Sequence, residues 1–542
     1  MSQTEAAHAH HGHPRGLYTL FGAEAWERFS YYGMRALLVL YMVNALGMQR
    51  KDALEVYALY TSLVYLTPIL GGWFADHVLG RRKAVLIGGI VMALGHLAMA
   101  FEPLLYTALG LLCVGNGFFK PNISTIVGGL YEENDPRRDG GFTIFYMGIN
   151  LGAFFSPIVC GNLGEKVGWH WGFSAAAFGM VAGLVQFVHG QKYLGNVGLP
   201  PGAEGRASGV LDRKDYTDVA IWVAGSTALV VGLLQGWTFL GPIFAAIPSA
   251  VKLAIGVGLI GLTFAQLYKG SDRDEMQRIT VIIVLSLFNI FFWMGFEQAG
   301  GTMTLFADKQ TDRNLSGLGV LFAALAVGAG AFNIWKSTAE EKSGKALWRA
   351  LVVLFGLTAL GVAAFGAKLL AGGGTFELPA SQFQSINPLL IVVLAPTFSR
   401  MWETLDSGRL ATSTPTKMAL GMIILGLGFV VMYVGQSLAA SGAVSPLWLV
   451  TVYAVHTIGE LCLSPIGLSM VTKLAPVRVV SLAMGLWFVS SAVANYLAGT
   501  LEARVEEYHW PIYGVLVVSS IGPAILLLAL TPWLKRWMHG RG

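Results

Sequence analysis

The chain has 542 residues, of which 54% are hydrophobic and 12% are charged, and its formal net charge is +5. Soluble proteins carry about 25% charged residues, so the composition excludes an ordinary soluble protein and predicts a polytopic membrane protein. The small net charge gives no indication of nucleic-acid binding. The three cysteines, Cys113, Cys160 and Cys462, all lie in apolar runs, so a disulfide framework is not expected.

Sixteen apolar runs follow a polar, His-rich tail. The tail at 1–16 is predicted to be disordered, and it does not have the pattern of a cleavable signal peptide. Each run is long enough to cross a hydrocarbon core of about 30 Å as a helix. In chain order the predicted helices are 17–46, 53–79, 84–101, 104–129, 141–163, 169–193, 217–236, 245–268, 276–307, 317–335, 347–371, 387–405, 417–437, 445–472, 479–500 and 511–534.

Positive charge is concentrated in alternate loops. One set of loops carries Arg81–Lys83, Arg137–Arg138 and the pair Lys473 and Arg478, whereas the other set has no excess of Lys or Arg and includes the acidic stretch Glu502–Glu507. Loops rich in Lys and Arg stay in the cytoplasm. We therefore predict an even number of crossings, both termini in the cytoplasm, and a multi-pass protein of the bacterial inner (cell) membrane.

Two pairs of runs are interpreted as insertions. Removing both leaves twelve helices in two groups of six, a common transporter arrangement with the substrate site between the groups. Residues 317–335 are rich in Ala and Gly, so an amphipathic or re-entrant segment is an alternative there. The predicted boundaries are an N-terminal bundle at 17–193, a linker at 194–216, an inserted pair at 217–268, a C-terminal bundle at 276–534 that contains the second inserted pair at 317–371, and a tail at 535–542.

The first run contains an unusual polar stripe, EAWERFSYYGMR (Glu24–Arg35). At about 100° per residue, its six polar and aromatic side chains fall within roughly 140° of the helix surface. A charge in the middle of a bilayer costs roughly 2.5–3.5 kcal/mol or more. The stripe is therefore either a structural ion-pair cluster or one wall of a transport cavity, and we favour the cavity. Its members are Glu24, Glu27, Arg28, Tyr31, Tyr32 and Arg35.

Three further charges lie inside later runs: Lys120, Glu297 and Glu460. Together with the stripe they make four acids and three bases, and an acid without a permanent partner is the group that takes up a proton most easily. Such a set suits a zwitterion, because the bases could hold a carboxylate and Glu297 or Glu460 an ammonium group. His456 lies one turn before Glu460 without an evident third metal ligand, so we interpret these two residues as a polar pair next to the cavity.

Two long motifs connect these residues to a known family. Glu24–Gly33 (EAWERFSYYG) resembles the ExxERFxYYG signature of the proton-dependent oligopeptide transporters in the major facilitator superfamily. Phe145–Gly152 (FYMGINLG) is similar to the family's FYxxINxG signature, and Gly71–Ala84 resembles a loop motif of the whole superfamily. Shorter segments resemble family segments in the expected order: Phe118–Ser124, Phe296–Gly300, Gln384–Pro388 and Gly459–Ser469. The resemblance spans about Leu17 to Leu534 without the extra pairs, and the pair at 317–371 departs from the common pattern.

The resemblance implies an all-α major facilitator fold and a proton-coupled symporter that imports di- and tripeptides by alternating access. It implies proton coupling by Glu24, Glu27, Arg28 and Glu297. The stretch Glu55–Leu66 lacks the histidine that some members have there, so Glu297 is the first candidate. The implied gating contacts are Arg35 with Glu297 and Lys120 with Glu460, and the loop residues Asp76 and Arg81 form a further predicted gate. The predicted substrate-binding residues are Arg28, Tyr31, Tyr32, Arg35, Tyr65, Lys120, Tyr146, Asn150, Glu297, Asn387, Glu460, Ser464 and Trp487.

Protons are the expected coupling ion, with no metal or other cofactor, and the expected partners are the peptide and the lipid bilayer. A monomer is the expected functional unit, although oligomerisation stays open. The main alternative is a proton-coupled transporter of another substrate, such as a peptide-like drug, nitrate or another anion. An enzyme is not expected, because the sequence has no HExxH, GxSxG or paired-cysteine motif.

Overall fold

Nearly all of the described chain is α-helical, as the composition predicts. The computed structural model describes residues 12–132, 135, 137–199, 213–246, 248, 251, 261–338, 345–406, 412–508 and 510–540. Most of the predicted tail at 1–16 and of the linker at 194–216, the middle of the predicted helix 245–268 and the last two residues lie outside these ranges. Within them, nine helices are long and apolar enough to cross a membrane.

The helices follow one another with short connections. The first group consists of α1 Arg15–Asn44, α2 Arg50–Phe74, α3 Arg81–Ala98, α4 Leu105–Gly129, α5 Arg138–Asn162 and α6 Trp169–Gly190. Next come α7 Arg213–Ala246 and α8, described over 261–268. The remaining helices are α9 Arg273–Phe296, α10 Thr302–Gln310, α11 Gly317–Thr338, α12 Lys345–Gly372, α13 Ile386–Asp406, α14 Thr414–Ala439, α15 Leu447–Leu474, α16 Val480–Glu507 and α17 Ile512–Trp537.

The packing forms two halves that meet along a seam. In the first half α1 packs along α5 and α6, and α3 packs along α4 and α6. In the second half α14 packs along α15 and α17, and α9 packs against α16 and α17. The halves meet where α2 packs along α16 and α5 packs against α13. We call the end where α1 begins and α17 ends the terminal end, and the opposite end the far end.

Helices α11 and α12 pack along each other as a hairpin. The alternative of an amphipathic or re-entrant segment at 317–335 is wrong, because α11 is a continuous helix of 22 residues with a membrane-spanning composition. At the far end a short ribbon joins the two strands flanking the hairpin, β1 Asn314–Ser316 and β2 Thr375–Glu377, which pair antiparallel. Helix α7 also differs from its prediction, since it continues ten residues beyond 236.

The predicted single helix at 276–307 is broken. Helix α9 ends at Phe296, a 3₁₀ turn covers Glu297–Gly300, and α10 begins at Thr302. Gly301 between them has φ −118° and ψ −98°, a conformation that a residue without a Cβ atom adopts most easily. The Gly300–Gly301 pair therefore ends the helix, and the break places Glu297 at the head of the 3₁₀ turn.

Glycines allow the closest helix contacts, as is usual between membrane helices. A Cβ atom built on Gly71 of α2 would lie 2.0 Å from the carbonyl oxygen of Gly117 on α4. A Cβ atom on the adjacent Gly72 would meet no heavy atom closer than the Pro121 Cβ, at 3.9 Å. The two neighbouring glycines thus face very different surroundings.

We expect Gly71→Ala to destabilise the protein, because the new methyl group must push α2 away from α4. Overpacking of this kind costs about 1–3 kcal/mol, which should appear as a lower midpoint of thermal unfolding in detergent. Gly72→Ala is the matched control and should unfold near the wild-type temperature. Equal midpoints for the two variants would contradict the close approach.

Candidate functional site

A cavity of about 320 Å³ lies between the two halves. Helices α1, α2, α4 and α5 line one side, and α9, α13, α15 and α16 line the other. Most of the predicted site residues line it: Glu24, Arg28, Tyr32, Arg35, Tyr65, Lys120, Tyr146, Asn150, Glu297, Asn387, Glu460 and Trp487. Tertiary packing therefore brings together charges that are far apart in the sequence.

Some predicted residues lie elsewhere. Glu27 is fully buried behind the cavity wall, where its carboxylate accepts a hydrogen bond of 3.3 Å from Asn116 of α4. Tyr31 does not line the cavity and packs edge-on against Tyr32, with ring centroids 5.2 Å apart. The polar stripe is wider than the cavity wall, so its edge residues pack against neighbouring helices. The side chain of Ser464 lies outside the described residues.

The first acidic cluster gives two carboxylates one shared cation. The Arg28 Nε atom lies 3.0 Å from a Glu24 oxygen and 2.5 Å from a Glu27 oxygen. These distances are those of ion pairs, although the N–H group is not aligned for a hydrogen bond to either oxygen. All three side chains are buried. If all three are ionised, the cluster retains one negative charge, which is a suitable place for a proton.

A second ion pair joins the two halves. The Arg35 guanidinium of α1 donates a short hydrogen bond to the Glu297 carboxylate, and its Nε atom donates to the Tyr57 hydroxyl at 2.6 Å. Gly300 makes room for this contact, because a Cβ atom there would lie 1.8 Å from the Tyr57 hydroxyl. The contact between Arg35 and Glu297 that the resemblance implies is thus present, and the break after α9 helps to form it.

Lys120 and Glu460 do not form the implied contact in this structure. The Lys120 ammonium lies 4.7 Å from the centroid of the Tyr65 ring. The Glu460 carboxylate accepts a hydrogen bond of 2.8 Å from Asn387, whose amide also contacts Thr457 at 3.0 Å. Within the described ranges neither Lys120 nor Glu460 has an ion-pair partner, and both line the cavity. The site therefore has a base on one half and an acid on the other.

The far end of the cavity is closed by contacts between the halves. Asn44 of α1 donates a hydrogen bond of 3.0 Å to Asp308 of α10, and Arg50 forms an ion pair with Glu502 of α16. Between α5 and α6, Glu165 accepts hydrogen bonds from the second half, as described below for the ribbon. The Arg35–Glu297 pair also lies towards this end, since Arg35 is in the last third of α1.

The predicted loop gate lies apart from the cavity. At the terminal end, α2 continues as a π turn over Ala75–Leu79, and Gly80 follows with φ +72°. Across this turn the Arg81 Nε atom donates to Asp76 at 3.2 Å, and both side chains are exposed to solvent. The contact is thus local to one loop, and its role as a gate stays a prediction.

Sequence reasoning missed most of the uncharged wall. Tyr453 and Leu463 line the cavity together with His456 and Glu460. Their spacing along α15 places all four on one helix face, which is the signal that could have found them. His456 lies beside the cavity as predicted, and in the described ranges no three His, Cys, Asp or Glu side chains group as a metal site. The other missed lining residues are Ile149, Ala153, Pro157, Trp293, Phe296, Ala299, Gln384, Pro388, Ile391, Phe488 and Ser491.

Comparison with known families gives this cavity a context. The model of the POT family matches the chain at residues 82–334 and 326–515. The chain belongs to the POT family. Its fold is accordingly the major facilitator fold, with two six-helix bundles and extra helices, and the protein is a membrane protein of a transporter family.

Relatives of similar length extend the likeness over the whole chain. The chain is 35% identical over 538 residues to the uncharacterized transporter YclF of Bacillus subtilis, covering 98% of this chain and 96% of that one. It is 33% identical to the di-/tripeptide transporter of Lactococcus lactis subsp. lactis, covering 97% and 96%. Among solved structures, a mutant of the peptide transporter POT in complex with alafosfalin has a TM-score of 0.75 at 34% identity, with 100% of both chains covered.

We expect Arg35→Ala to destabilise the protein strongly, because it leaves the buried Glu297 carboxylate without its cation. Breaking one partner of a buried pair costs about 3–5 kcal/mol. The double variant Arg35→Ala/Glu297→Gln should recover much of that loss, since no charge remains unpaired.

Thermal unfolding in detergent measures both variants. Arg81→Ala is the control, because exposed ion pairs contribute only about 0–1 kcal/mol. If Arg35→Ala is no more harmful than Arg81→Ala, Glu297 does not depend on this cation.

Proposed function

We propose that the protein is a proton-coupled symporter that imports di- and tripeptides across the cell membrane by alternating access. The observation that carries this proposal is the pair of unsatisfied opposite charges in one cavity, Lys120 on α4 and Glu460 on α15. A small peptide carries an ammonium group at one end and a carboxylate at the other. Such a zwitterion can compensate both charges at once, whereas a simple anion or cation compensates only one.

The cavity wall supports a peptide over a smaller zwitterion. Its volume falls at the lower end of the range for small-molecule pockets, roughly 300–1,000 Å³. Between the charged groups lie aromatic and apolar surfaces such as Trp293, Phe296 and Ile391, which can accept side chains of different shape without a fixed hydrogen-bond pattern. The name of the Lactococcus relative, a di-/tripeptide transporter, supports the same substrate class.

Proton coupling is assigned first to Glu297. Its carboxylate contacts Arg35 across the two halves, so protonation removes the charge that attracts the guanidinium and weakens the contact. The far end can then separate. Glu24, Glu27 and Arg28 are a second place for the proton, because two acids share one base there.

With both termini in the cytoplasm, the far end faces outward and the structure corresponds to an inward-facing state. In the outward-facing state Glu297 is protonated, and the peptide binds with its carboxylate towards Arg28 and Lys120 and its amine towards Glu460. Closure of the far end re-forms the Arg35–Glu297 pair, and proton and peptide leave to the cytoplasm. The ligand drives this change only through its different affinity for the two states.

A transporter of nitrate or another anion is the main rival. An anion has no use for Glu460, which lines the cavity without a cation partner among the described residues. We therefore expect Glu460→Gln to impair uptake of a zwitterionic peptide, whereas it would leave anion transport intact or improve it.

Uptake of labelled dialanine into proteoliposomes tests the proposal. Uptake should exceed equilibrium when the outside is acid relative to the lumen, and an uncoupler should abolish the excess. Unlabelled tripeptides should compete, and free amino acids and nitrate should compete weakly. Competition by nitrate without any dialanine uptake would favour the rival.

We expect Glu297→Gln to abolish concentrative uptake while counterflow exchange of peptide continues. A potential of 100 mV supplies about 2.3 kcal/mol per proton, enough for roughly fiftyfold accumulation with one proton per neutral peptide. The variant should instead reach about equal concentrations inside and outside. Glu102→Gln, at an exposed acid of a far-end connection, is the control. Accumulation by Glu297→Gln at the wild-type level would show that the coupling acid lies elsewhere.

A further inference from the structure

The α11–α12 hairpin lies where the likeness to the family is discontinuous. The two segments matched by the family model, 82–334 and 326–515, meet within α11. Much of the hairpin surface faces outward, with Phe322 71% exposed and Leu360 68% exposed, as suits contact with lipid. Its inner surface, however, contacts both halves of the protein at two levels.

The hairpin is fixed to the second half. It is joined covalently to α10 and α13, and α11 packs against α13. The Asn333 amide donates a hydrogen bond of 2.7 Å to the Val393 carbonyl group of α13. The hairpin therefore moves with the second half when the two halves rock against each other.

Within the bundle, one aromatic side chain connects the hairpin to the first half. The Phe355 ring of α12 stacks on Phe154 of α5, with centroids 5.4 Å apart and an angle of 18°. It also meets Phe155 edge-on at 5.7 Å. Phe355 is fully buried, and Gly330 of α11 leaves room for it, because a Cβ atom there would lie 3.2 Å from the Phe355 ring.

At the far end, the ribbon makes the second connection. The Lys166 ammonium, just after α5, donates a hydrogen bond of 2.6 Å to the Glu377 carbonyl oxygen and lies 3.7 Å from the centroid of the Phe376 ring. Beside it, the Glu165 carboxylate accepts from the backbone N–H groups of Ala380 and Ser381 at 2.8 and 2.9 Å. The Lys166 contacts reach β2 itself, whereas the Glu165 contacts reach the turn that follows it.

We infer that the hairpin is a brace that holds α5 against α13 and favours the state that is closed at the far end. Opening of the far end must separate Phe355 from α5 and Lys166 from the ribbon, because the hairpin stays with the second half. Each contact is made only in the closed state, so each shifts the equilibrium between the two states by its own free energy. This inference rests on the alternating access of the proposed function, but not on the identity of the substrate.

Distances between two spin labels test the brace in the full-length protein. Nitroxide labels are attached at Glu102→Cys in the first half and Ser441→Cys in the second, both exposed at the far end, while the native cysteines are buried. Phe355→Ala should raise the ratio of the long-distance to the short-distance population roughly tenfold, the size of a typical aromatic pair plus some lost burial.

Phe322→Ala is the matched control, since it makes the same change on the lipid-facing side of the hairpin and should leave the ratio within about twofold. Phe154→Ala/Phe355→Ala should shift the ratio little more than Phe355→Ala alone, because both remove one contact. Lys166→Met breaks the ribbon contact without touching the bundle interior and should shift the ratio in the same direction.

A distance distribution that is the same in wild type, Phe355→Ala and Lys166→Met would overturn the inference. A monodisperse peak in size-exclusion chromatography shows that each variant is folded before its distances are compared. The readout does not involve a substrate, so a failure of dialanine uptake would count against the proposed function and leave the brace to be judged by the distances alone.

Discussion

The free-energy cost of a charge inside a membrane is the constraint on which the rest of this structure depends. An ionised side chain in the hydrocarbon core must face a partner charge, a hydrogen-bonding group or a polar cavity. Here Arg28 and Arg35 have carboxylate partners, whereas Lys120 and Glu460 face the cavity. The arrangement of helices around the cavity follows from this need, because neither half alone compensates all of the charges it contains.

The two kinds of charge serve different purposes in the proposed cycle. The Arg35–Glu297 pair is complete in the protein itself, so it can hold the far end closed until a proton changes its balance. Lys120 and Glu460 are left for a ligand, so they can report whether the cavity is occupied. The aromatic brace at Phe355 acts on the same equilibrium without any charge, through contacts that exist in one state only.

The Gly300–Gly301 break shows where local sequence rules fall short. The apolar run at 276–307 predicts one helix, and its composition is that of a membrane span. The chain instead turns at Glu297, which brings the carboxylate to Arg35 and lets Tyr57 approach Gly300. The wider polar stripe at Glu24–Arg35 is a similar case, because periodicity predicts a common face but not how much of that face a neighbouring helix such as α4 covers.

The sequence by itself determined the class of protein, the positions of almost all described helices and most of the charged site residues, because hydrophobic runs and isolated charges are local signals. Only the tertiary structure decided that Arg35 meets Glu297, that Lys120 and Glu460 stay apart, and that Tyr31 and Glu27 lie behind the cavity wall. These outcomes depend on how helices distant in the sequence pack and on which of two states the halves adopt. Helical periodicity contains neither kind of information.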